Sequence, residues 1–411
     1  MVDTLRVLLV GPYPPPYGGI ASHLINLIPG LKQRGVEDIA VVSFGPSDSV
    51  VEELGATVYR VNTKRRAVQT MMQHPDVVAT TFWELADWHL GARKLVAEAV
   101  RAAAVAAVAR QHRSNVVSFY QSDESIALLP LRRVWKQRVG TVLTVLGEAY
   151  DSPQFFEVRR AQVGRLLTAA DTRLSSSLHC ARSFSRLGLE HVIEAVYYGV
   201  DLERFQSDEE RQPYRQRHGF QSDDVVVLYL GRFTEDMGID CLLEIIPQLL
   251  DANPRLRFVL AGARGPFTGP ASDISRRFPG KVVILNDVPF SMLRALYAAC
   301  DIVVAPTRDQ HACMGMSIKE AMAASRPVIG SDAGGIPEAI VEQETGFLVP
   351  LASDRRIDGG LLVTAVETLA KNPGRRAAMG RAARRRAEDL FSKERTVDRV
   401  LAVFNSVQPR T

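Results

Sequence analysis

The chain has 411 residues, which exceeds the usual span of one hydrophobic core and points to two domains of roughly 150 to 200 residues each. Hydrophobic residues at 46% and charged residues at 23% are ordinary for a globular enzyme, and a net charge of +4 argues against a general nucleic-acid field. The four cysteines, Cys180, Cys241, Cys300 and Cys313, show no ligand-like spacing and so no zinc site.

In chain order, Leu5 to Val10 is a continuous apolar run that ends at Gly11. It predicts a strand buried on both faces, as in parallel sheets covered by helices. A proline-stiffened loop (Pro12, Pro14, Pro15, Pro16) leads to Gly18-Gly19 and a helix that carries His23. Glycine there lets a ligand approach the backbone and leaves the first N–H groups of the helix open to an anion. An ordinary tight turn explains the pair equally well.

Further strands are expected at Ile39 to Phe44, Val116 to Tyr120, Thr141 to Leu146 and Thr172 to Ser175, alternating with helical stretches such as Leu95 to Ala109. Glu98 and Arg101 interrupt that Ala-rich helix, and no apolar run approaches the ~20 residues of a membrane span. Any membrane contact is then peripheral. Bunched cations, at Lys64-Arg65-Arg66, Arg132 to Arg138 around Trp135, and Arg375 to Arg386, are ordinary solvated faces or, for the Trp-bearing segment, a surface for anionic lipid.

The polar stretch from Gln206 to Pro213 marks the expected boundary, with residues 1–205 as one domain and 206–391 as the next. The second domain opens like the first. Val225 to Leu230 is a buried strand running into Gly231-Arg232-Phe233 and then Gly238-Ile239-Asp240; strands recur at Arg257 to Ala261, Val282 to Leu285, Ile302 to Ala305, Val328-Ile329 and Phe347 to Val349. The fold class is α/β, as two tandem doubly wound, Rossmann-like domains. Ligands of open α/β sheets sit beyond the strands' carboxyl ends, so a site in a cleft where two such domains face each other is expected.

The densest signal runs from Tyr297 to Val349: strand, Pro306-Thr307, Met314-Gly315-Met316-Ser317, the helix carrying Lys319 and Glu320, a short strand, Gly334-Gly335, and Thr345-Gly346. Its order and residues resemble the C-terminal half of the retaining, GT-B-fold glycosyltransferases of family 4. Tyr198-Gly199-Val200-Asp201 is similar to that family's segment at the domain junction, and Thr144 to Glu148 to its Thr-Val-His-Gly strand end, with Leu146 in place of histidine.

The resemblance implies roles for individual residues. Arg232 corresponds to the arginine that grips the donor diphosphate, where a guanidinium fork matches phosphate oxygens. The lysine that accompanies it is Met237 here, which leaves the site one charge short unless Arg264 or Arg308 reaches in. Glu320 corresponds to the carboxylate that accepts hydrogen bonds from the nucleotide ribose. The family's other glutamate is replaced by Ala312, with Asp309 and His311 as candidates to contact the sugar. Gly18, Gly19 and the backbone of Gly315, Met316 and Ser317 would receive phosphate; Ser317 could equally be a plain helix N-cap. The last helix, 392–408, is implied to pack back on the first domain.

A metal-independent, retaining hexosyltransferase follows from the resemblance: Arg232, Gly19, Asp309 and His311 would serve transfer from a nucleotide-sugar donor to a glycan, lipid-linked or small-molecule acceptor. No cofactor is called for. No Asp-x-Asp pair occurs, which fits a site where an arginine and helix dipoles neutralise the leaving group. A bacterial, cytoplasmic enzyme of polysaccharide or glycolipid assembly is the expected setting. The departures at Leu146, Met237 and Ala312 keep two alternatives open: a transferase-like partner or sensor that binds without transfer, and a sugar-nucleotide epimerase.

Overall fold

The computed structural model describes residues 4–14, 18–65, 67–120, 125–136, 138–151, 153–206, 208–310 and 312–409. They form two compact units, one made of residues 1–198 with 393–411 and the other of 199–392. The division falls ahead of the polar stretch after Phe205. Its reason is local: Phe205 packs edge-on against Tyr297 at 5.4 Å, and Arg204 donates to the Phe290 carbonyl at 2.7 Å, both in the second unit.

The first unit holds eight strands: β1 (Arg6–Val10), β2 (Asp38–Phe44), β3 (Ser49–Glu53), β4 (Ala56–Val61), β5 (Val116–Tyr120), β6 (Gly140–Val145), β7 (Thr172–Ser175) and β8 (Glu194–Ala195). Their order is β3-β4-β2-β1-β5-β6-β7-β8, parallel except where β3 runs against β4. The central runs VLLV, VVSFY and GTVLTV are buried on both faces, because helices cover each side of the sheet. The hairpin β3-β4 is at the edge, where charged Glu52 and Glu53 blunt the open strand.

The helix Lys393–Val407 belongs to this unit. Val397, Val400, Val403 and Phe404 are buried, and Thr396 Oγ1 donates to the Tyr197 carbonyl at 2.7 Å. It lies on the helix Gly19–Gln33 where Gly30 removes a side chain, since a Cβ there would overlap Val397 Cγ2.

The second unit is a six-stranded, wholly parallel sheet: β9 (Val225–Leu230), β10 (Leu256–Gly262), β11 (Val282–Asn286), β12 (Ile302–Ala305), β13 (Val328–Ser331) and β14 (Gly346–Val349). The order is β11-β10-β9-β12-β13-β14, so the direction of winding reverses between β9 and β12, and the crevice at their carboxyl ends is where such a sheet takes a ligand. At the opposite ends of the same two strands, Asp301 is held by Arg211 at 2.5 Å, by Arg215 at 3.1 Å and by the Val226 N–H at 2.8 Å. Those partners keep its carboxyl below the usual range although burial acts the other way.

Gly30→Ala should destabilise the protein by about 1–3 kcal/mol through overpacking against the branched Val397. Adding Val397→Ala should recover part of that loss, a coupling of about 1 kcal/mol in a denaturation double-mutant cycle. Additive effects would mean that the two helices do not meet at this pair.

Candidate functional site

The carboxyl end of β9 carries Gly231 and Arg232. Tyr229 donates its hydroxyl to the Arg232 carbonyl at 2.6 Å, which fixes the backbone, while the Arg232 side chain stays 57% exposed. Its guanidinium meets Asp236 Oδ2 at 2.6 Å, one turn on. An arriving anion would therefore exchange with one carboxylate at the surface, a weak competitor compared with a buried one.

The turn Glu235–Met237 is tied down from the neighbouring strand. The Asp236 carbonyl accepts from the Arg308 N–H at 2.9 Å and from Thr307 Oγ1 at 2.8 Å. Gly238 follows at φ +67°, and a Cβ there would overlap the Pro306 carbonyl oxygen, so glycine is required. Met237 turns its methyl group toward Gly231 and brings no charge.

Of the two cations expected to compensate, Arg308 is already engaged. It pairs with Asp240 and, at 3.1 Å, with Glu235, and only 14% of its side chain is exposed. Arg264 follows β10 beside β9 and is 67% exposed, with Asp287 at 3.0 Å. Arg264 is the more available of the two.

After β12 the chain turns into the helix Met316–Ala323, whose N-cap is Gly315 at φ +75°. No side chain caps this end, and Ser317 lies inside the first turn instead of capping it. Uncapped N–H groups at a helix start make an anion site. Glu320, one turn in, is 4% exposed. Its Oε2 lies 2.9 Å from the Tyr297 hydroxyl, which also lies 3.1 Å from the Ser317 carbonyl; with a single proton the phenol donates to one of them at a time. Among the described residues only Tyr297 donates to the Glu320 carboxylate, so its other carboxylate oxygen takes no hydrogen bond.

Burial lifts the Glu320 carboxyl above its ordinary range, against the pull of the Tyr297 hydrogen bond, Arg204 and Lys319. Burial likewise lowers Lys319, to about 7, with Glu320 partly offsetting it. Arg204 is lowered by burial too, and its guanidinium stacks 3.9 Å from the Phe290 ring centroid. Motif order singles out Glu320 but assigns Tyr297 and Arg204 no part in its surroundings. Neither stands near Glu320 in the chain, and only packing brings them together.

At Ala312 only the backbone contributes, through a carbonyl that accepts from the Gly335 N–H at 2.7 Å. Asp309 is half-buried, with its N–H to Thr307 Oγ1 at 3.3 Å; His311 lies outside the described residues.

In the first unit Gly18 is extended (φ −162°) and Gly19 opens the helix Gly19–Gln33. Among the described residues no atom lies within 4 Å of where a Cβ would sit on either, so they do not call for glycine at these positions. Pro15 and Pro16 lie outside the described residues. His23 is buried and stacked on Tyr198 at 3.7 Å and 7°. Glu148 spends Oε2 on the Leu146 N–H at 2.8 Å, where β6 ends.

The basic segment around Trp135 is less available than its composition implies. Arg132 is bonded to Asp171 at 2.6 and 3.0 Å, Arg133 to Glu84 at 2.8 Å, and Leu131 is buried. Arg66 and Gln137 lie outside the described residues.

Residues 224–371 match the model of a family described as glycosyl transferases group 1. The chain is 26% identical over 395 residues to a GDP-mannose-dependent alpha-(1-6)-phosphatidylinositol monomannoside mannosyltransferase of Mycolicibacterium smegmatis, covering 93% of this chain and 94% of that protein. It is 30% identical over 207 residues to D-inositol 3-phosphate glycosyltransferase of Streptomyces avermitilis, covering 48% of this chain and 43% of the relative, so that likeness spans less than half of the relative's length. Among solved structures, sucrose-phosphate synthase from Thermosynechococcus elongatus superposes with a TM-score of 0.74 at 18% identity, over 98% of each chain. Anabaena HepE in complex with UDP and glucose superposes with a TM-score of 0.73 at 16% identity, over 98% of this chain and 100% of that one.

The buried lysine beside Glu320 gives a pH signature. Its folded pKa, about 7, lies below the ordinary 10.5, so between these values the unfolded chain binds more protons and stability rises with pH. Lys319→Met should remove that part of the rise between pH 7 and 10.5 in urea titrations; an unchanged slope would show that Lys319 is protonated where it lies.

Proposed function

We propose a donor class, a stereochemical course and an acceptor class for this chain, which belongs to the group 1 glycosyltransferases and has their GT-B fold. It takes a sugar from a nucleotide diphosphate donor and transfers it, with retention and without a metal ion, to an acceptor hydroxyl in bacterial glycan or glycolipid assembly. The observation that carries the reading is the carboxyl end of the β9 and β12 pair. There an exposed arginine, an uncapped helix N-terminus and a buried carboxylate with an uncommitted oxygen lie in one unit.

These groups divide the donor among them. Arg232 and the N–H groups of Met316 and Ser317 take the diphosphate, and Glu320 accepts from the ribose hydroxyls. Asp309 with His311 contacts the sugar. Charge grows on the leaving diphosphate as the glycosidic bond breaks, so fixed donors aimed at it lower the barrier. An acceptor that attacks from the side the phosphate leaves needs no protein nucleophile, and the departing phosphate takes the hydroxyl proton.

The relatives act on GDP-mannose with a phosphatidylinositol mannoside, or on D-inositol 3-phosphate, by their names. Those names support, as this chain's acceptor, a hydroxyl on a glycan, a lipid-linked or a small-molecule precursor. A cytoplasmic enzyme that touches the membrane peripherally fits such an acceptor. No helix among the described residues is long and apolar enough to cross a membrane. The contact is assigned to Trp83, 63% exposed with the Arg133 guanidinium 4.0 Å from its ring centroid, and neighbouring Phe82.

Arg232→Ala should lower kcat together with donor affinity, because the diphosphate loses its side-chain cation both when bound and as charge grows on it. Glu320→Gln should chiefly weaken ground-state nucleotide binding. Calorimetry separates the two: Arg232→Ala should affect the nucleoside diphosphate alone, Glu320→Gln the free nucleoside as well. Undiminished nucleoside binding by Glu320→Gln would remove that carboxylate from the donor site. Incubation with nucleotide sugars and no acceptor should give slow hydrolysis; an epimer, or binding without turnover, would replace the transferase reading. Wild-type protein should float with anionic vesicles at low salt and lose this at high salt. Trp83→Ala should weaken flotation several-fold, and equal flotation would move the contact elsewhere.

A further inference from the structure

Among the described residues the Glu320 carboxylate receives its one hydrogen bond from Tyr297, 23 residues earlier in the chain. The phenol ring is fully buried and held on several sides. It stands on the helix Leu293–Ala299 and meets Phe205 edge-on, with 89° between the planes. Arg326 Nε donates to the Tyr297 carbonyl at 2.9 Å, which pins the backbone beneath the ring.

The hydroxyl faces two acceptors, Glu320 Oε2 at 2.9 Å and the Ser317 carbonyl at 3.1 Å. An ionised carboxylate is the stronger acceptor, so the phenol proton goes to Glu320 while that group is charged. Once Glu320 takes up a proton, its O–H can donate to the phenol oxygen while the phenol donates to Ser317, so the hydroxyl is paired in either state. Burial, and then the Glu320 charge, keeps the phenol itself protonated. The second Glu320 oxygen takes no hydrogen bond among the described residues, yet it is not fully buried. One oxygen is thus tied inward and the other is open to a ligand.

The other groups around Glu320 bring charge without hydrogen bonds to its carboxylate, among the described residues. Arg204 pulls on it through charge, but its guanidinium Nη2 donates to the Phe290 carbonyl at 2.7 Å. Lys319, next on the same helix, lies 5.9 Å from the Phe391 ring centroid. Arg384, from the helix Pro373–Leu390 packed on this one, donates Nη1 to the Leu202 carbonyl at 2.8 Å and the Ala323 carbonyl at 2.6 Å. The Cys300 thiol, which donates to the Tyr297 carbonyl at 3.4 Å, is pushed up to about 12 by burial and stays neutral. A binding group is accurately aimed only when packing and hydrogen bonds lock its own rotamer, and here that lock is Tyr297.

We propose that Tyr297 is a positioning residue for donor binding: its hydroxyl holds one oxygen of Glu320 so that the other is presented to a ribose hydroxyl. This rests on the reading of Glu320 as the ribose acceptor and adds the residue through which that carboxylate is aimed. The same bond favours the charged carboxylate against the burial that lifts it, so Tyr297 sets how far the pH can fall before the site loses its acceptor.

Calorimetry on the full chain with UDP and with GDP, repeated from about pH 4.5 to 8, reads this role. Wild-type affinity for the tighter of the two should fall as pH drops through the Glu320 titration, since only the ionised carboxylate accepts from both ribose hydroxyls. Tyr297→Phe keeps the ring against Phe205 and removes the donor, so the fall should begin about one pH unit higher, with affinity at pH 8 down about threefold or more. Tyr297→3-fluorotyrosine, a stronger donor of the same shape, should move the fall to lower pH and serves even if the Phe variant packs poorly. In a Glu320→Gln background Tyr297→Phe should change affinity less than about twofold at any pH. The titrations of Lys319 and of the ligand phosphate are common to all variants and do not alter the differences between them. Equal weakening at every pH, or the same loss in the Gln background, would make Tyr297 a packing residue and overturn the proposal. Undiminished binding by Glu320→Gln alone, or binding of neither diphosphate by wild type, would instead remove the donor reading and the proposal with it.

Discussion

The second unit depends on how closely two loops of backbone can approach. Gly238 meets the Pro306 carbonyl where any side chain would overlap it, and the Asp236 carbonyl receives two bonds from the loop that follows β12. The turn that positions Arg232 is thus fastened to the loop that leads to Glu320. Arg308 reinforces this from the side, joining Asp240 and Glu235. That explains why Arg308 is unavailable to replace the missing lysine: its charge is consumed in holding the site's shape. Arg232, by contrast, faces a single exposed carboxylate, and electrostatics near solvent leave it able to exchange partners.

Around Glu320 the balance differs. A carboxylate 4% exposed, with one phenolic donor and two cations nearby, is poorly solvated without a ligand. Ribose hydroxyls would return to it what water no longer provides, so the site trades stability of the empty protein for affinity. The same burial makes Lys319 a weak cation, and its partial neutrality limits how well the protein itself compensates Glu320.

The central strands were legible because both faces of each are buried, which writes an uninterrupted apolar run into the sequence. Val116 to Tyr120, Val225 to Leu230 and Ile302 to Ala305 show this without ambiguity. The hairpin β3-β4 was not legible: Ser49–Glu53 is half-exposed and carries two glutamates, so its pattern is that of a loop. Charge was harder still. Arg132 and Arg133 looked like free cations beside a tryptophan, yet Asp171 and Glu84 neutralise them from 39 and 49 residues away. For the site, motif residues such as Arg232 and Glu320 could be named from order alone, whereas Tyr297, Arg204 and the commitment of Arg308 to Asp240 required packing to be seen.

The helix Lys393–Val407 adds a temporal asymmetry. Phe404 and Val397 complete the core of the first unit, and Gly140 on β6 leaves room where a Cβ would overlap the Val407 carbonyl. That core draws on segments translated before residues 199–392 and on one translated after them. Domains generally form as their sequence emerges, N-terminal ones first. Here the order is reversed: residues 199–392 can close their sheet while the earlier unit still lacks a covering helix. During synthesis the apolar flank of the helix Gly19–Gln33 stays bare for most of the translation time, so nascent chains stalled before Lys393 are the form most in need of a chaperone.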